Sequence, residues 1–267
     1  MKKNFNIDSF YLDFQYTKEI IKNENIDIKD LKEIFDDYIE VKETYQNQAD
    51  FIANIFRSSD NVHSVKSRIK DEDRLIEKII RKTRDRKEKY GEDFKFTKDN
   101  YKEEINDLIG IRVIHIFKDQ WKEIHDEIIK TWKVIEITAN VRDGDNTEVF
   151  NELGIEVRSR QSGYRSVHYL VEFYPTNRKV IAEIQVRTIF EEGYGEIDHR
   201  LRYSHREIPE ILKSNLLLFN RIVGSADEMA SLINDLSKEW SDKEIGYKNL
   251  LREKDEEIMN LRKLLNK

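Results

Sequence analysis

Two carboxylates, Asp107 and Glu183, stand inside apolar, β-branched runs, DLIGIRV at 107–113 and AEIQVRT at 182–188. Such runs build buried strands, and a carboxylate among them costs free energy unless it is paired or liganded. Two carboxylates facing one cleft suit Mg²⁺, which takes oxygen ligands and keeps phosphates and waters as the others. The competing reading is a pair of local salt bridges, Asp107 with Arg112 and Glu183 with Arg187. In the second run, strand alternation places Glu183, Gln185 and Arg187 on one sheet face. That stripe is poor core material, and the forked guanidinium matches phosphate oxygens. A third run, SGYRSVHY at 162–169, sets a glycine before Tyr164. An aromatic ring there offers a stacking surface for a nucleobase, with Arg165, Ser166 and His168 close by. His168 and His199 read as hydrogen-bonding residues, because a closed zinc site needs more His or Cys than this stretch contains.

These residues need a scaffold. The pattern predicts a helix over 28–57, a break at 61–64, and a second helical stretch over 65–90. The apolar face of that stretch is Ile69, Leu75, Ile76, Ile79 and Ile80, and its stop is Gly91. The middle of the chain changes period. Strands are expected at 105–117, 134–141, 166–174 and 180–187, with turns at 143–145 and 175–178. Amphipathic or helical stretches fall at 120–132 and 190–201. From 208 onward the chain reads as helix, with Leu251, Ile258 and Leu265 seven apart and Tyr247 and Leu261 beside them, interrupted by Lys254. Such a helix either docks on its own chain or joins a second copy. The expected class is α+β, a mixed β-sheet flanked by helices. Its regions are an N-terminal helical part (1–60), a central domain (61–205) and a C-terminal helical part (206–267).

The 267 residues carry 47 Lys and Arg against 53 Asp and Glu, a net charge of −6. That balance argues against a general nucleic-acid coat protein. Basic residues nevertheless outnumber acids over 66–89, and Arg158, Arg160, Arg165 and His168 form a second basic group, which suits a phosphate-rich small ligand. Cysteine is absent, which removes disulfides and thiolate metal sites and fits a cytoplasmic location. Neither a signal peptide nor a membrane-spanning run is expected.

The set SRIK (67–70), DLIGIR (107–112), GYRSVHY (163–169), EIQVRT (183–188) and EIDHRLRY (196–203), in this order, resembles the synthetase domain of the RelA/SpoT family. The resemblance covers 62–205, and the flanking helices resemble those of small alarmone synthetases more loosely. It implies a nucleotidyltransferase-like sheet and transfer of the β,γ-pyrophosphate of ATP to the ribose 3′-hydroxyl of GDP or GTP, giving (p)ppGpp. It implies that Asp107 and Glu183 hold Mg²⁺, with Glu183 also taking the hydroxyl proton. Arg68 would meet the adenine, and Lys70 and Lys78 the ATP phosphates. Tyr164 would stack on the guanine, with His168 beside the acceptor's phosphate or ribose. Arg112, Gln185, Arg187 and His199 would complete the cleft. The chain departs from the family pattern in three places. Arg74 replaces a serine. The stretch ELGIEVRSRQ (152–161) replaces a lysine-bearing loop, so that Arg158 or Arg160 would supply the positive charge. Tyr194 and the pair Asp198–His199 replace a tryptophan and an EH pair. No hydrolase module is visible. Toxin-like relatives that modify adenosine nucleotides or the 3′ end of tRNA are the alternative, as is a silent nucleotide-binding module. Related small synthetases are often oligomers, which the C-terminal helices would serve.

Overall fold

The computed structural model describes residues 4–175, 179–202 and 208–265. The helices are α1 (Ile7–Asp13), α2 (Thr17–Asn23), α3 (Ile28–Arg57), α4 (Glu72–Tyr90), α5 (Tyr101–Glu104), α6 (Gln120–Thr131), α7 (Glu148–Glu152), α8 (Ile189–Arg202) and α9 (Glu210–Leu265). The strands are β1 (Ser64–Ile69), β2 (Ile109–His115), β3 (Lys133–Val141), β4 (Glu156–Ser159), β5 (Ser166–Phe173) and β6 (Val180–Thr188). Among the described residues they form one mixed sheet in the order β1-β2-β6-β5-β3-β4. The β2–β6 and β3–β4 pairs are parallel and the others antiparallel.

Period-two alternation gives this sheet two unlike faces. Val65, Val113, Val186, Val167, Ala139 and Val157 are successive cross-strand partners through all six strands. This apolar row packs into a core with Ala49, Ile52, Ala53 and Phe56 of α3 and with Ile124 and Ile128 of α6. One residue over, the row is Lys66, Arg112, Gln185, His168, Thr138 and Glu156. A one-residue slip would exchange the two rows, so burial of the first fixes the position of the second.

A second core joins α1 to α4, with Leu31, Ile34, Phe35 and Tyr38 against Leu75, Ile76, Ile79 and Ile80. Asp27 caps α3 by accepting from the Lys29 amide at 2.8 Å. Asp71 caps α4 by accepting from the amides of Asp73 and Arg74 at 3.0 and 3.1 Å. That cap corrects the helix expected over 65–90. Residues 64–69 are instead an edge strand with alternating exposure, paired antiparallel to β2, and the helix starts at Glu72. The Lys and Arg of SVKSRI are the charges an edge strand carries. Strand β4 and the short helices α5 and α7 are further elements that the sequence pattern missed. The turn expected over 175–178 lies, apart from Pro175, outside the described residues.

Helix α9 is a single helix that docks only through its first half. Residues 235–260 are exposed throughout. Leu251 and Ile258 of the seven-residue spacing are therefore solvent-facing, as is Tyr247. No described helix is long and apolar enough to cross a membrane. The docked half buries Asp227 completely, with Lys118 Nζ 3.9 Å away. Burial, with the Glu191 charge, pushes its carboxyl up to about 6. An acid whose folded-state pKa is raised holds its proton more tightly when folded, so stability falls as pH rises from about 4 through about 6. Asp227→Asn should therefore stabilise the protein at pH 7 by no more than about 3 kcal/mol and leave it unchanged near pH 4. Thermal unfolding of both proteins across this range checks it, and a pH-independent difference would contradict it.

Candidate active site

The polar row and its neighbours form a charged cleft on one side of the sheet. Asp107 sits in the turn before β2, and Glu183 lies near the start of the parallel neighbour β6, paired in register with Gly110. The two acids lie close enough for the Asp107 charge to act on Glu183. Neither local salt bridge forms. Asp107 Oδ2 instead meets Lys70 Nζ at 2.7 Å and Lys78 Nζ at 2.8 Å. Burial works against ionisation of Asp107, but the two ammonium groups win and hold it at about 2. Its other oxygen, Oδ1, is buried with no hydrogen-bond partner. Lys70 itself is pushed down by burial, against the attraction of Asp107.

Glu183, Gln185 and Arg187 do share a face. Gln185 Nε2 donates to Glu183 Oε2 at 2.6 Å, and Arg187 Nη2 donates to Gln185 Oε1 at 2.9 Å. His168 Nδ1 lies 3.3 Å from Glu183 Oε1. Burial raises the Glu183 pKa, yet the His168 contact and the Gln185 bond leave it below its ordinary value.

Tyr164 is half-buried rather than freely exposed. Its hydroxyl pairs with His168 Nε2 at 3.1 Å, and the Arg187 guanidinium lies over the ring at 5.5 Å from its centroid. Burial raises its pKa. The same ring and guanidinium set the distance of α8. A Cβ on Gly195 would fall 2.7 Å from Arg187 Nη1 and 3.7 Å from the Tyr164 ring, so any side chain there would displace the Arg187 guanidinium.

Arg112, buried on β2, points at α8. Its Nη1 pairs with Glu192 at 3.2 Å and also with Glu196. Glu192 also pairs with Arg187 Nε at 3.1 Å. Sequence reasoning gave Glu192 no role, although its spacing of four from Glu196 places both on one helix face. His199, one turn further on α8, is exposed. Burial lowers its pKa, and the charges of Glu196, Arg68, Arg112 and Arg74 all act on it. Arg68 of β1 belongs to this rim through its partner Gly110. The Arg74 guanidinium lies 4.8 Å over the Phe14 ring.

Arg158 and Arg160 occupy the far edge. A pocket of about 90 Å³ brings both beside His168 and Glu183. Arg158 is tied to Glu156 at 2.8 Å and to Glu136 at 3.3 Å, and Arg160 Nε donates to Asn140 at 2.6 Å. The basic stretch over 66–89 is also largely neutralised. Lys82 pairs with Asp85, Arg84 with Glu88, Arg86 with Glu104 and Lys87 with Glu24.

Among the described residues no group of three or more His, Cys, Asp or Glu could hold a metal ion. The arrangement is two carboxylates, one with a buried oxygen lacking a partner, between a lysine pair and an aromatic–imidazole–guanidinium cluster. It can hold a hard cation, bind phosphates on one flank and support a planar ring on the other.

The chain shares sequence and fold with known proteins. Residues 67–208 match the family model described as the region found in RelA / SpoT proteins. The chain is 26% identical over 181 residues to GTP pyrophosphokinase YwaC of Bacillus subtilis, covering 66% of this chain and 75% of that one. The solved structure of smu.1046c from Streptococcus mutans superposes with a TM-score of 0.54 at 26% identity, covering 77% of this chain and 96% of that one. Small alarmone synthetase 1 of B. subtilis, bound to its product pppGpp, superposes with a TM-score of 0.52 at 21% identity over 74% of this chain and 93% of that one. With the family model covering more than half of its length, the chain belongs to the RelA/SpoT family.

Proposed function

We propose that this protein transfers the β,γ-pyrophosphate of ATP to the ribose 3′-hydroxyl of GDP or GTP, the bond from the β-phosphorus to AMP breaking as the bond to the 3′-oxygen forms, with AMP released. The observation that carries the reading is the convergence of Asp107 and Glu183 between a cationic flank and an aromatic one. The names of the relatives support it: one is a GTP pyrophosphokinase, and another was solved with pppGpp.

Phosphoryl-type transfer needs alignment and charge stabilisation more than covalent help from the protein. Lys70 and Lys78 would meet the donor's phosphates, with Arg68 and Arg112 along the same side. Tyr164 would carry the acceptor base, steadied by Arg187, while His168, His199, Arg158 and Arg160 would face its phosphates or ribose. Glu183 would accept the proton from the 3′-hydroxyl. Its lowered pKa leaves it ionised at neutral pH, free of the proton it would take up.

Asp107 and Glu183 are the residues that would hold Mg²⁺, and the buried, unpartnered Asp107 Oδ1 fits that role. When bound, the ion would neutralise charge building on the transferred group. Gln185, donating to Glu183 and accepting from Arg187, would hold the carboxylate in orientation.

A tRNA acceptor would need unpaired basic surface. The ion pairs along α4 weigh against that source. Incubation with γ-labelled ATP and GDP, GTP, AMP or tRNA, separated by chromatography, tests the reading. Label should appear on the guanosine nucleotides. Label confined to AMP or tRNA would replace the acceptor, and no transfer would remove the enzyme reading.

Tyr164→Ala should raise the KM for GDP about tenfold or more, from a stacking contribution of about 1–3 kcal/mol, while the KM for ATP changes little. Initial rates at varied concentrations of each substrate check it. Equal changes in both constants would contradict a platform role.

A further inference from the structure

We propose that Asn220, on the C-terminal helix α9, is a positioning residue for the Tyr164 platform. The proposal rests on the acceptor-binding reading of Tyr164 and adds a part of the chain that none of the sequence motifs includes.

Asn220 is 1% exposed, and its Nδ2 donates to the Gly163 carbonyl at 2.8 Å. A carbonyl only accepts, so this bond fixes which end of the amide faces the loop. Gly163 has φ of +74°, and a Cβ there would lie 2.7 Å from Asn220 Oδ1. The amide and the bare backbone therefore interlock. The preceding residue is held from α8, where the Tyr194 hydroxyl donates to the Ser162 carbonyl. Tyr194 in turn packs against Phe219 of α9, ring centroids 6.2 Å apart. The Tyr164 amide donates to Ser162 Oγ at 3.3 Å. Residues 162–164 are thus gripped by two helices immediately before the ring that faces His168, and His168 contacts Glu183.

Glycine has the widest backbone freedom of any residue. A glycine next to a platform that must be placed within a fraction of an ångström needs an external tie. Asn220 supplies it at a cost, because its Oδ1 is buried with no hydrogen-bond partner. An apolar side chain would avoid that cost at a position serving packing alone. Asn220 touches neither carboxylate, so it acts through the loop.

Two variants test this. Asn220→Asp keeps the shape and loses the donor; Asn220→Leu keeps the branching, replaces both polar atoms by bulkier methyl groups, and loses the donor without burying a charge. Both should raise the KM for GDP about tenfold, equivalent to about 1.4 kcal/mol, with the KM for ATP within about twofold and unfolding still cooperative. Amide hydrogen exchange at 163–166 should quicken about tenfold while β2 and β6 keep their protection. An unchanged GDP KM with unchanged exchange would overturn the proposal. So would a parallel loss for both substrates, which is the signature of a merely structural residue. If the wild-type protein transfers nothing to guanosine nucleotides, the functional reading fails by itself. The exchange measurement then still decides whether Asn220 holds the loop.

Discussion

Glu183→Gln should lower the rate of pyrophosphate transfer by about 10³-fold, the scale for losing a positioned general base, and leave the fold intact. Glutamine fits the same space and can still pair with Gln185 and His168, so the polar row keeps its shape. What disappears is the negative charge that would bind the cation and the oxygen that would take the 3′-hydroxyl proton. Rapid-quench assays with labelled ATP, beside thermal unfolding of both proteins, measure the two properties separately. A variant retaining more than about a tenth of the activity would show that Glu183 is neither base nor ligand. A variant that fails to fold would show that the His168–Glu183–Gln185 contacts serve the scaffold first.

Asp107→Asn should remove activity by about 10²-fold or more and also weaken the fold in a pH-dependent way. Asp107 is the counter-ion of two ammonium groups, and its carboxyl sits at about 2 rather than the usual 3.8. A depressed folded-state pKa contributes stability that is present above the unfolded value and is lost as pH falls through the folded one. The contribution at neutral pH is about 2 kcal/mol. The variant leaves Lys70 and Lys78 facing each other without a shared anion, so the deficit should be full at pH 7 and shrink between about pH 4 and 2. Denaturant unfolding across that range measures it. A deficit independent of pH would mean that packing, not the ion pair, is what the substitution removes.

Much of the site was legible because strand alternation is a strong local signal. The stripe Glu183–Gln185–Arg187, the helix at 28–57 and the strands that became β2, β5 and β6 follow from period and composition alone. The partners of the charges did not follow. Local pairing suggested Arg112 for Asp107, whereas Lys70 lies 37 positions away, and Arg112 itself reaches Glu192 and Glu196, 80 and 84 positions away. Only the order of strands brings these together, and that order is a property of the whole chain. Strand β1 was misread for a related reason. Its lysine and arginine continue the amphipathic pattern of the following helix, and only its ladder with β2 distinguishes the two. The four residues of β4 pair in parallel with β3, a non-local contact that no short repeat announces. Asn220 gave no signal at all, since a single amide on a helix reads as a surface residue until its partner 57 positions away is known.

The account depends most on Asp107 and Glu183 sharing one divalent cation beside the donor's phosphates. Titration with Mn²⁺ in the presence of a non-hydrolysable ATP analogue, followed by electron paramagnetic resonance, tests this directly. The wild-type complex should bind the ion, and Asp107→Asn and Glu183→Gln should each weaken that binding at least about tenfold. Unchanged Mn²⁺ binding in both variants would contradict the shared site.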